Sequence, residues 1–416
     1  MGVLNNHQLK AGGLKIGGLN RRLKEKAAES RWFVPQAKRP SGGLKPPYGN
    51  QKPTSGDILM IFHQVTLTLL SVFFLCFSNA LYADESFERM VRLGKIEQIR
   101  KSLENGTLSP HHTSSDEKTM LMLAAEEGHI EIVRLLLDKG TKINVRDKGG
   151  ATALTYAAYE NKSGVVKLLL ERGADPNLPG SHGRTALFFA ACKGYVDIVK
   201  DLIAKGANVN ARDEKGISIL GCKHRANDRN PEVVRLLLSQ GAVPHSGLIL
   251  WAAENGYLDI IQTLIAKGID VNYASKKKDG GGYTALMAAS KNAHYEVAKE
   301  LLARKADINA RDDQGYTALQ YAVENRRNPV ALLLIDAGAD VNVQNAQGYT
   351  VLMNAAEKGN AELVEKLIAK GADVNAQTGD GLTALDYARK SYQSAMAKVV
   401  QLLKQAGARE TSSTNK

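Results

Sequence analysis

The chain has 416 residues and a formal net charge of +12 at pH 7. The excess is concentrated at the N-terminus, because residues 1–59 contain 11 Lys or Arg but 3 Asp or Glu, and residues 60–83 contain none of these four types. The remainder is nearly balanced and has no basic stripe with interleaved aromatic residues, so the composition argues against nucleic-acid binding.

The first 57 residues are rich in Gly, Lys, Pro and Asn and have no sustained apolar period. We predict a disordered basic leader over residues 1–57, since such a composition cannot bury enough apolar surface to fold. Met60 is an alternative start, in which case residues 1–59 would be a mis-assigned upstream extension.

Residues 58–83 contain no Asp, Glu, Lys or Arg. An apolar core of about a dozen residues, followed by small and polar residues, is typical of a secretory signal, whereas a membrane span needs about twenty. We expect cleavage after Ala83, with Ala80 as the second choice. The alternative is an uncleaved signal-anchor, through which residues 58–83 alone would contact the membrane. The chain is therefore expected to be exported: periplasmic or secreted, or anchored with its C-terminal part on the outer side.

A unit of 33 residues recurs from about residue 84 onward, and a fixed period in this range predicts a repeat architecture. In the copy 348–380, Thr350 suits the cap of a first helix, and Ala361–Ala369 has the apolar spacing of a second helix. Two such helices bury their apolar faces only when copies stack. Unit-start glycines mark the period at Gly183, Gly216, Gly282, Gly315, Gly348 and Gly381.

The unit has a Gly-x-Thr-Ala-Leu start, an Ala-Ala pair and a Gly-Ala-Asp-Val-Asn-like end, as in residues 185–210 and 317–342. This pattern resembles the ankyrin repeat over roughly four-fifths of the chain. The resemblance implies an all-α helix-turn-helix solenoid with short β-turn or hairpin fingers. We expect about ten units over residues 84–410, acting as a monomer, and a polar tail over residues 411–416.

The fifth and sixth units depart from the pattern. Residues 221–224 replace the Ala-Ala pair, and the loop 225–231 carries about two extra residues. The next finger is about six residues short or missing, whereas the one that includes residues 276–281 is about four residues longer. The sequence therefore predicts its main irregularity between units five and seven.

No phosphate-binding loop, His-Glu-x-x-His, paired Cys-x-x-Cys or Gly-x-Ser-x-Gly motif is present, so we expect no catalysis, cofactor or metal site. His182, Cys222 and His224 do not define a tetrahedral metal set. Cys192 and Cys222 occupy different positions along the predicted first helices of adjacent units. We expect two separate thiols, with a disulfide as the alternative in an oxidising compartment.

Ankyrin-like arrays usually bind partner proteins at finger tips and at the exposed side of the first helices. In three units a tyrosine directly follows the unit-start glycine, and it is a candidate anchor there because tyrosine contributes large contact area at low entropic cost. The alternative is that this tyrosine covers the neighbouring finger. Six polar residues just past the Ala-Ala pair complete the set. The predicted binding residues are Tyr283, Tyr316, Tyr349, Lys291, Asn292, Glu324, Asn325, Glu357 and Lys358.

Other repeated residues are interpreted as structural. Asp175, Asp270, Asp307, Asp340 and Asp373 share one repeat position and are expected to form turns. Packing is expected of Tyr156, Phe188, Phe189, Trp251 and Tyr321.

The sequence thus favours an exported scaffold for protein–protein interaction. A secreted effector that binds a host protein would use the same surface and differ in its destination. An enzyme with its site at the irregular fifth and sixth units is the third hypothesis. A closed pocket lined by perturbed acids would support the enzyme.

Overall fold

The computed structural model describes residues 87–222, 229–276, 281–390 and 396–410, which belong to one compact unit, Cys76–Lys416. The predicted leader, the apolar stretch 58–83, the tail 411–416 and His224 lie outside the described residues. Within the described ranges, no helix has the length and apolar character needed to cross a membrane.

The described residues form an array of helix pairs and no β-strand, which confirms the all-α prediction. Antiparallel bridges occur singly in the fingers, between Thr113 and Thr119, Arg212 and Ser218, and Ala274 and Thr284. The first unit contributes helical residues 87–92 to the set of first helices. The other first helices are Met120–Glu127, Ala153–Tyr159, Ala186–Lys193, Leu248–Glu254, Ala285–Lys291, Ala318–Glu324, Val351–Glu357 and Ala384–Lys390.

Each second helix follows after a short loop, and two single 3₁₀ turns occur at Ser181–Gly183 and Ile219–Gly221. The prediction of Ala361–Ala369 as a second helix is confirmed at both ends. The second helices are Ile96–Glu104, Ile130–Asp138, Ser163–Glu171, Val196–Ala204, Pro231–Ser239, Leu258–Ala266, Tyr295–Ala303, Asn328–Asp336, Ala361–Ala369 and Met396–Gln405.

The threonine before a first helix starts that helix. The Thr350 hydroxyl accepts a hydrogen bond from the backbone N–H of Met353 at 3.3 Å, and the Thr350 N–H lies 3.4 Å from the Met353 sulfur. Units two, three, seven and eight have the same reciprocal arrangement. Since the first N–H groups of a helix have no partner inside it, this capping box satisfies two of them and fixes where the helix begins.

The core lies between the stacked helices. In unit nine, Leu352, Ala355 and Ala356 of the first helix and Leu363 and Leu367 of the second are all at most 1% exposed. The small alanines let consecutive first helices approach closely, and the leucines fill the space between the two helices. This burial is continuous along the array, because neither helix of a unit could hide its apolar face alone.

An asparagine at the end of the repeat joins most units to the next. The Asn342 side-chain oxygen accepts from the Asp373 N–H at 2.8 Å, and its Nδ2 donates to the Gly371 carbonyl at 3.0 Å. The predicted turn role of the repeated aspartates is confirmed, since Asp373 Oδ1 accepts from the Asn375 N–H at 2.9 Å. The equivalent aspartates in the other units make the same turn bond.

Unit five is irregular in its first half. A single 3₁₀ turn, Ile219–Gly221, replaces the first helix, and the Ser218 side chain makes no capping bond. Only eight residues lie between Ser239 and the next helix, at Leu248, whereas fourteen lie between Ala303 and Ala318 in a regular pair of units. The predicted shortening of the finger between units five and six by about six residues is therefore confirmed.

Cys192 and Cys222 form a disulfide, with their Cα atoms 5.9 Å apart, so the expectation of two separate thiols is wrong. That expectation placed Cys222 on a full first helix. Instead the chain leaves the 3₁₀ turn in an extended conformation at Cys222, with φ −64° and ψ 131°. This early exit brings Cys222 beside Cys192 of unit four.

Candidate protein-binding surface

The three predicted tyrosines are half-buried and rest against tyrosines of the first helices. The Tyr321 ring lies perpendicular to that of Tyr283, with centroids 5.4 Å apart, and 5.2 Å from that of Tyr316. The rings of Tyr349 and Tyr387 are 5.0 Å apart. The finger tyrosines of units seven to nine therefore pack with first-helix tyrosines in two clusters along this surface, Tyr283 and Tyr316 with Tyr321, and Tyr349 with Tyr387.

Two lysines border these rings. Lys291 Nζ lies 5.8 Å from the ring centroid of Tyr321, and Lys390 Nζ lies 6.0 Å from that of Tyr387, both within cation–π range. We call this surface the tyrosine face, and it consists of Tyr283, Lys291, Tyr316, Tyr321, Tyr349, Tyr387 and Lys390.

An aspartate in the finger orients the centre of the tyrosine face. The Tyr321 hydroxyl donates to Asp312 Oδ2 at 2.6 Å. The other carboxylate oxygen of Asp312 accepts from the Tyr316 N–H at 2.9 Å. Because one carboxylate holds both the finger backbone and the helix side chain, the Tyr321 ring is fixed before any partner arrives.

The hydroxyls of Tyr283, Tyr316, Tyr321 and Tyr349 are protonated at neutral pH. Burial raises the pKa of Tyr283, of Tyr316 and of Tyr321 above the usual value for tyrosine. The hydrogen bond with the Tyr387 hydroxyl, followed by burial, raises the pKa of Tyr349 to about 12. The face therefore offers neutral O–H groups beside apolar rings.

The six predicted polar residues divide into three groups. Lys291 belongs to the tyrosine face, and the exposed Glu324 and Glu357 lie close enough to affect its tyrosines electrostatically. The Asn292 and Asn325 amides donate to carbonyls of their own helices, to Ala288 at 3.0 Å and to Tyr321 at 2.8 Å. Lys358 lines a cavity beside the loop between its two helices.

A second aromatic cluster on units two to four was missed by sequence reasoning. Tyr159 is 40% exposed, lies perpendicular to Phe189 with centroids 5.4 Å apart, and has Lys193 Nζ 3.4 Å from its ring centroid. Lys118 Nζ lies 4.2 Å from the ring centroid of Tyr156. Tyr159 lies seven residues after its cap threonine, which is the repeat position that Lys291 occupies in unit seven. This shared position could have identified Tyr159 as a surface residue from the sequence.

A cavity of about 20 Å³ lies beside the disulfide and is lined mainly by apolar side chains together with Arg229 and Asn230, with no carboxylate among its lining residues. Across the described ranges, no group of three or more His, Cys, Asp or Glu side chains is placed to hold a metal ion.

Models of the ankyrin repeat family match most of the chain. A model described as "Ankyrin repeats (3 copies)" matches overlapping segments from residue 88 to residue 345, and "Ankyrin repeats (many copies)" matches residues 332–388. These matches together span more than half of the chain.

Similar curated proteins share short segments with it. Ankyrin repeat domain-containing protein 29 of Danio rerio is 43% identical over 16% of this chain and 21% of its own length. Cortactin-binding protein 2 of Dasypus novemcinctus is 34% identical over 21% of this chain and 5% of its own length. A probable E3 ubiquitin-protein ligase, XBOS32, of Oryza sativa subsp. japonica is 40% identical over 18% of this chain and 16% of its own length. The chain spans less than a quarter of each of these relatives.

Proposed function

Because this chain belongs to the ankyrin repeat family, we propose that it is a non-catalytic scaffold that binds a partner protein through the tyrosine face. The observation that carries the proposal is the packing of finger tyrosines against first-helix tyrosines in units seven to ten. Nucleic acid is not the expected partner, since the array lacks a basic stripe.

The tyrosine face suits protein binding for two physical reasons. Tyrosine rings contribute large, amphipathic contact area with few rotatable bonds, and they are common among residues that dominate binding energy. Here the rings are also held in place by each other and by Asp312, so little side-chain entropy is lost on binding. The protonated hydroxyls of Tyr283 and Tyr316 would donate to carbonyl or carboxylate oxygens of the partner, since those of Tyr321 and Tyr349 already donate within the face.

Export of the chain is part of the proposal. It is supported by the apolar sequence at residues 58–83 and by the disulfide between Cys192 and Cys222, because such bonds form and persist in oxidising compartments. The mature protein would then be periplasmic or secreted, or would remain anchored by residues 58–83 with its repeats outside. A secreted effector acting on a host protein differs only in its destination.

N-terminal sequencing of the protein isolated from its native host tests export. Cleavage after Ala83 or Ala80 supports a signal peptide, and an intact residue 58–83 segment in the membrane fraction supports the anchor. An intact N-terminus in the cytosolic fraction, together with thiols that react freely with maleimide, would contradict export.

The enzyme hypothesis receives no support from the described residues of units five and six. A catalytic site there would need a pocket with convergent acids, whereas the small cavity beside the disulfide has no carboxylate in its lining.

Affinity capture with the full-length protein tests the binding function. We compare the wild type with the triple variant Tyr283→Ala, Tyr316→Ala and Tyr349→Ala. The matched control is Tyr295→Ala, since Tyr295 is 38% exposed but starts the second helix of unit seven, outside the tyrosine face. We expect the triple variant to lose a specifically captured protein and the control to retain it, with circular dichroism confirming that both remain folded. Equal capture by all three proteins would overturn the assignment of the face.

A further inference from the structure

A cavity of about 200 Å³ lies between units eight and nine, where the first helices end and the second helices begin. It is smaller than the 300–1,000 Å³ typical of sites for drug-sized ligands, yet it exceeds the roughly 30 Å³ share of one water molecule. A small ligand of a few heavy atoms would fit. Its lining consists of Val323, Arg326, Asn328, Ala355, Lys358 and Asn360.

The lining carries two positive charges and no negative one. Arg326 and Lys358 have no ion pair with any carboxylate among the described residues. The adjacent carboxylates, Glu324 and Glu357, act instead on hydroxyls of the tyrosine face. The negative ends of the first helices stabilise each cation separately. A full counter-charge for the two together is missing.

Arg326 occupies a backbone conformation that usually requires glycine. Its φ is +57°, and the equivalent positions in units two, four, six and nine are the positive-φ residues Gly128, Gly194, Gly256 and Gly359. A residue with a side chain costs roughly 1–2 kcal/mol in this region. Asn161 and Ala293 occupy the same position at positive φ in units three and seven, so the array tolerates a side chain there, and Arg326 places a guanidinium group at the cavity.

The two asparagines of the lining are already oriented. Asn360 Nδ2 donates to Asn328 Oδ1 at 2.8 Å, and Asn360 Oδ1 accepts from the Leu363 N–H at 3.1 Å. Because the Asn328 oxygen is used in this pair, its amide NH₂ group is left to act as a donor. The cavity thus combines a guanidinium, an ammonium and an amide donor, which is the set that binds oxyanions.

We propose that this cavity binds a phosphate-type oxyanion, either free phosphate or the phosphoryl group of a larger ligand, through Arg326, Lys358 and Asn328. The site is separate from the tyrosine face and does not depend on the protein-binding function.

The substitutions that test this site are supplied by the repeat itself. Arg326→Gly introduces the residue found at the same position in four other units, and Lys358→Asn introduces the residue found there in units six, seven and eight, as Asn255, Asn292 and Asn325. Both variants should therefore fold. The matched control is Lys305→Gly, because Lys305 is also an exposed basic residue at positive φ, +64°, and does not line the cavity.

Isothermal titration calorimetry and thermal unfolding of the full-length protein are carried out in sodium phosphate and in sodium chloride at equal ionic strength. We expect saturable phosphate binding that raises Tm above the chloride value. Either single variant should weaken phosphate binding by about tenfold or more, as expected for the loss of a charge-assisted contact, and Lys305→Gly should leave the affinity unchanged.

O-phosphoserine binding more tightly than inorganic phosphate would identify the phosphoryl group of a larger ligand; the reverse order would identify the free ion. A phosphate effect equal to that of chloride, or one that survives in the Arg326→Gly/Lys358→Asn double variant, would overturn the proposal.

Discussion

The first halves of units seven to ten and of unit five are held in place by different interactions. In unit eight, Thr317 and Gln320 form a capping box, and the first helix runs from Ala318 to Glu324. In unit five, Ser218 makes no capping bond, one 3₁₀ turn replaces the helix, and a disulfide fastens the segment to unit four. The second half of unit five is regular nonetheless, since Asn230 caps the helix Pro231–Ser239.

The two halves of a repeat can therefore lose their regular structure separately. Asn210 still joins unit four to the end of unit five, accepting from the Val243 N–H at 2.8 Å and donating to the Gly241 carbonyl at 3.2 Å. The stack therefore continues through the second helices while the first-helix side is interrupted. Non-covalent interactions of the regular repeat stabilise units seven to ten, which carry the tyrosine face. The disulfide stabilises the irregular first half of unit five.

The largest effect is expected from removing that bond. The Cys192→Ser/Cys222→Ser variant should lose about 3–4 kcal/mol in free energy of unfolding, since a disulfide restricts the unfolded chain more as the closed loop lengthens, and these cysteines are 30 residues apart. Urea unfolding with and without dithiothreitol measures it. Reductant should destabilise the wild type and leave the variant unchanged; equal stability of the two oxidised proteins would contradict the role given to the bond.

A loss of about 2–3 kcal/mol is expected from Gln320→Ala in unit eight. The Gln320 side chain is fully buried, accepts from the Thr317 N–H at 2.9 Å, and donates to the carbonyls of Val343 at 3.2 Å and Tyr349 at 3.1 Å. Truncation leaves these buried groups without partners. Gln320→Met should cost less, because methionine fills this position in units two, seven and nine. If both variants have the same free energy of unfolding as the wild type in urea, the hydrogen bonds of Gln320 do not stabilise the fold.

The capping residues give a direct test of the contrast between the two regions. Thr350→Ala should cost about 1 kcal/mol, because the hydroxyl satisfies the Met353 N–H, whereas Ser218→Ala should cost close to nothing. Thermal unfolding of the two single variants measures the difference. A cost for Ser218→Ala as large as that for Thr350→Ala would mean that unit five is capped after all.

The smallest expected effect is a decline of the free energy of unfolding at alkaline pH, which arises in units seven to ten. Tyr349 has a pKa of about 12 in the folded protein, raised mainly by its hydrogen bond with Tyr387, against roughly 10 in the unfolded chain. Between these values Tyr349 loses its proton in the unfolded chain but keeps it in the folded protein. Its contribution to the free energy of unfolding is therefore complete below about pH 10 and is lost as the pH rises to about 12. Tyr349→Phe, which cannot ionise, should flatten this decline in stability measured by urea unfolding. An unchanged pH profile would contradict the raised pKa of Tyr349.

The repeat period was sufficient to predict the helix pairs, because each one is encoded locally by its cap, its apolar spacing and its turn. The bounds of Ala361–Ala369 and the missing finger before Leu248 followed from the same register. The disulfide was not predictable in this way, because it depends on a first helix that fails to form after Gly221.

The partners of the finger tyrosines were equally hidden from the sequence. Whether Tyr349 meets Tyr387 depends on how consecutive units are offset, and no single unit encodes that offset. The role that we propose for Arg326 depends on a cavity formed by two units together.

Site-specific photo-crosslinking tests most directly whether the tyrosine face is the protein-binding surface. A benzophenone amino acid replaces Tyr316 in one full-length protein and Tyr295 in another, and both are irradiated in the native host. We expect a discrete protein adduct at Tyr316 and none at Tyr295. No adduct at Tyr316, or the same adducts at both positions, would contradict this expectation.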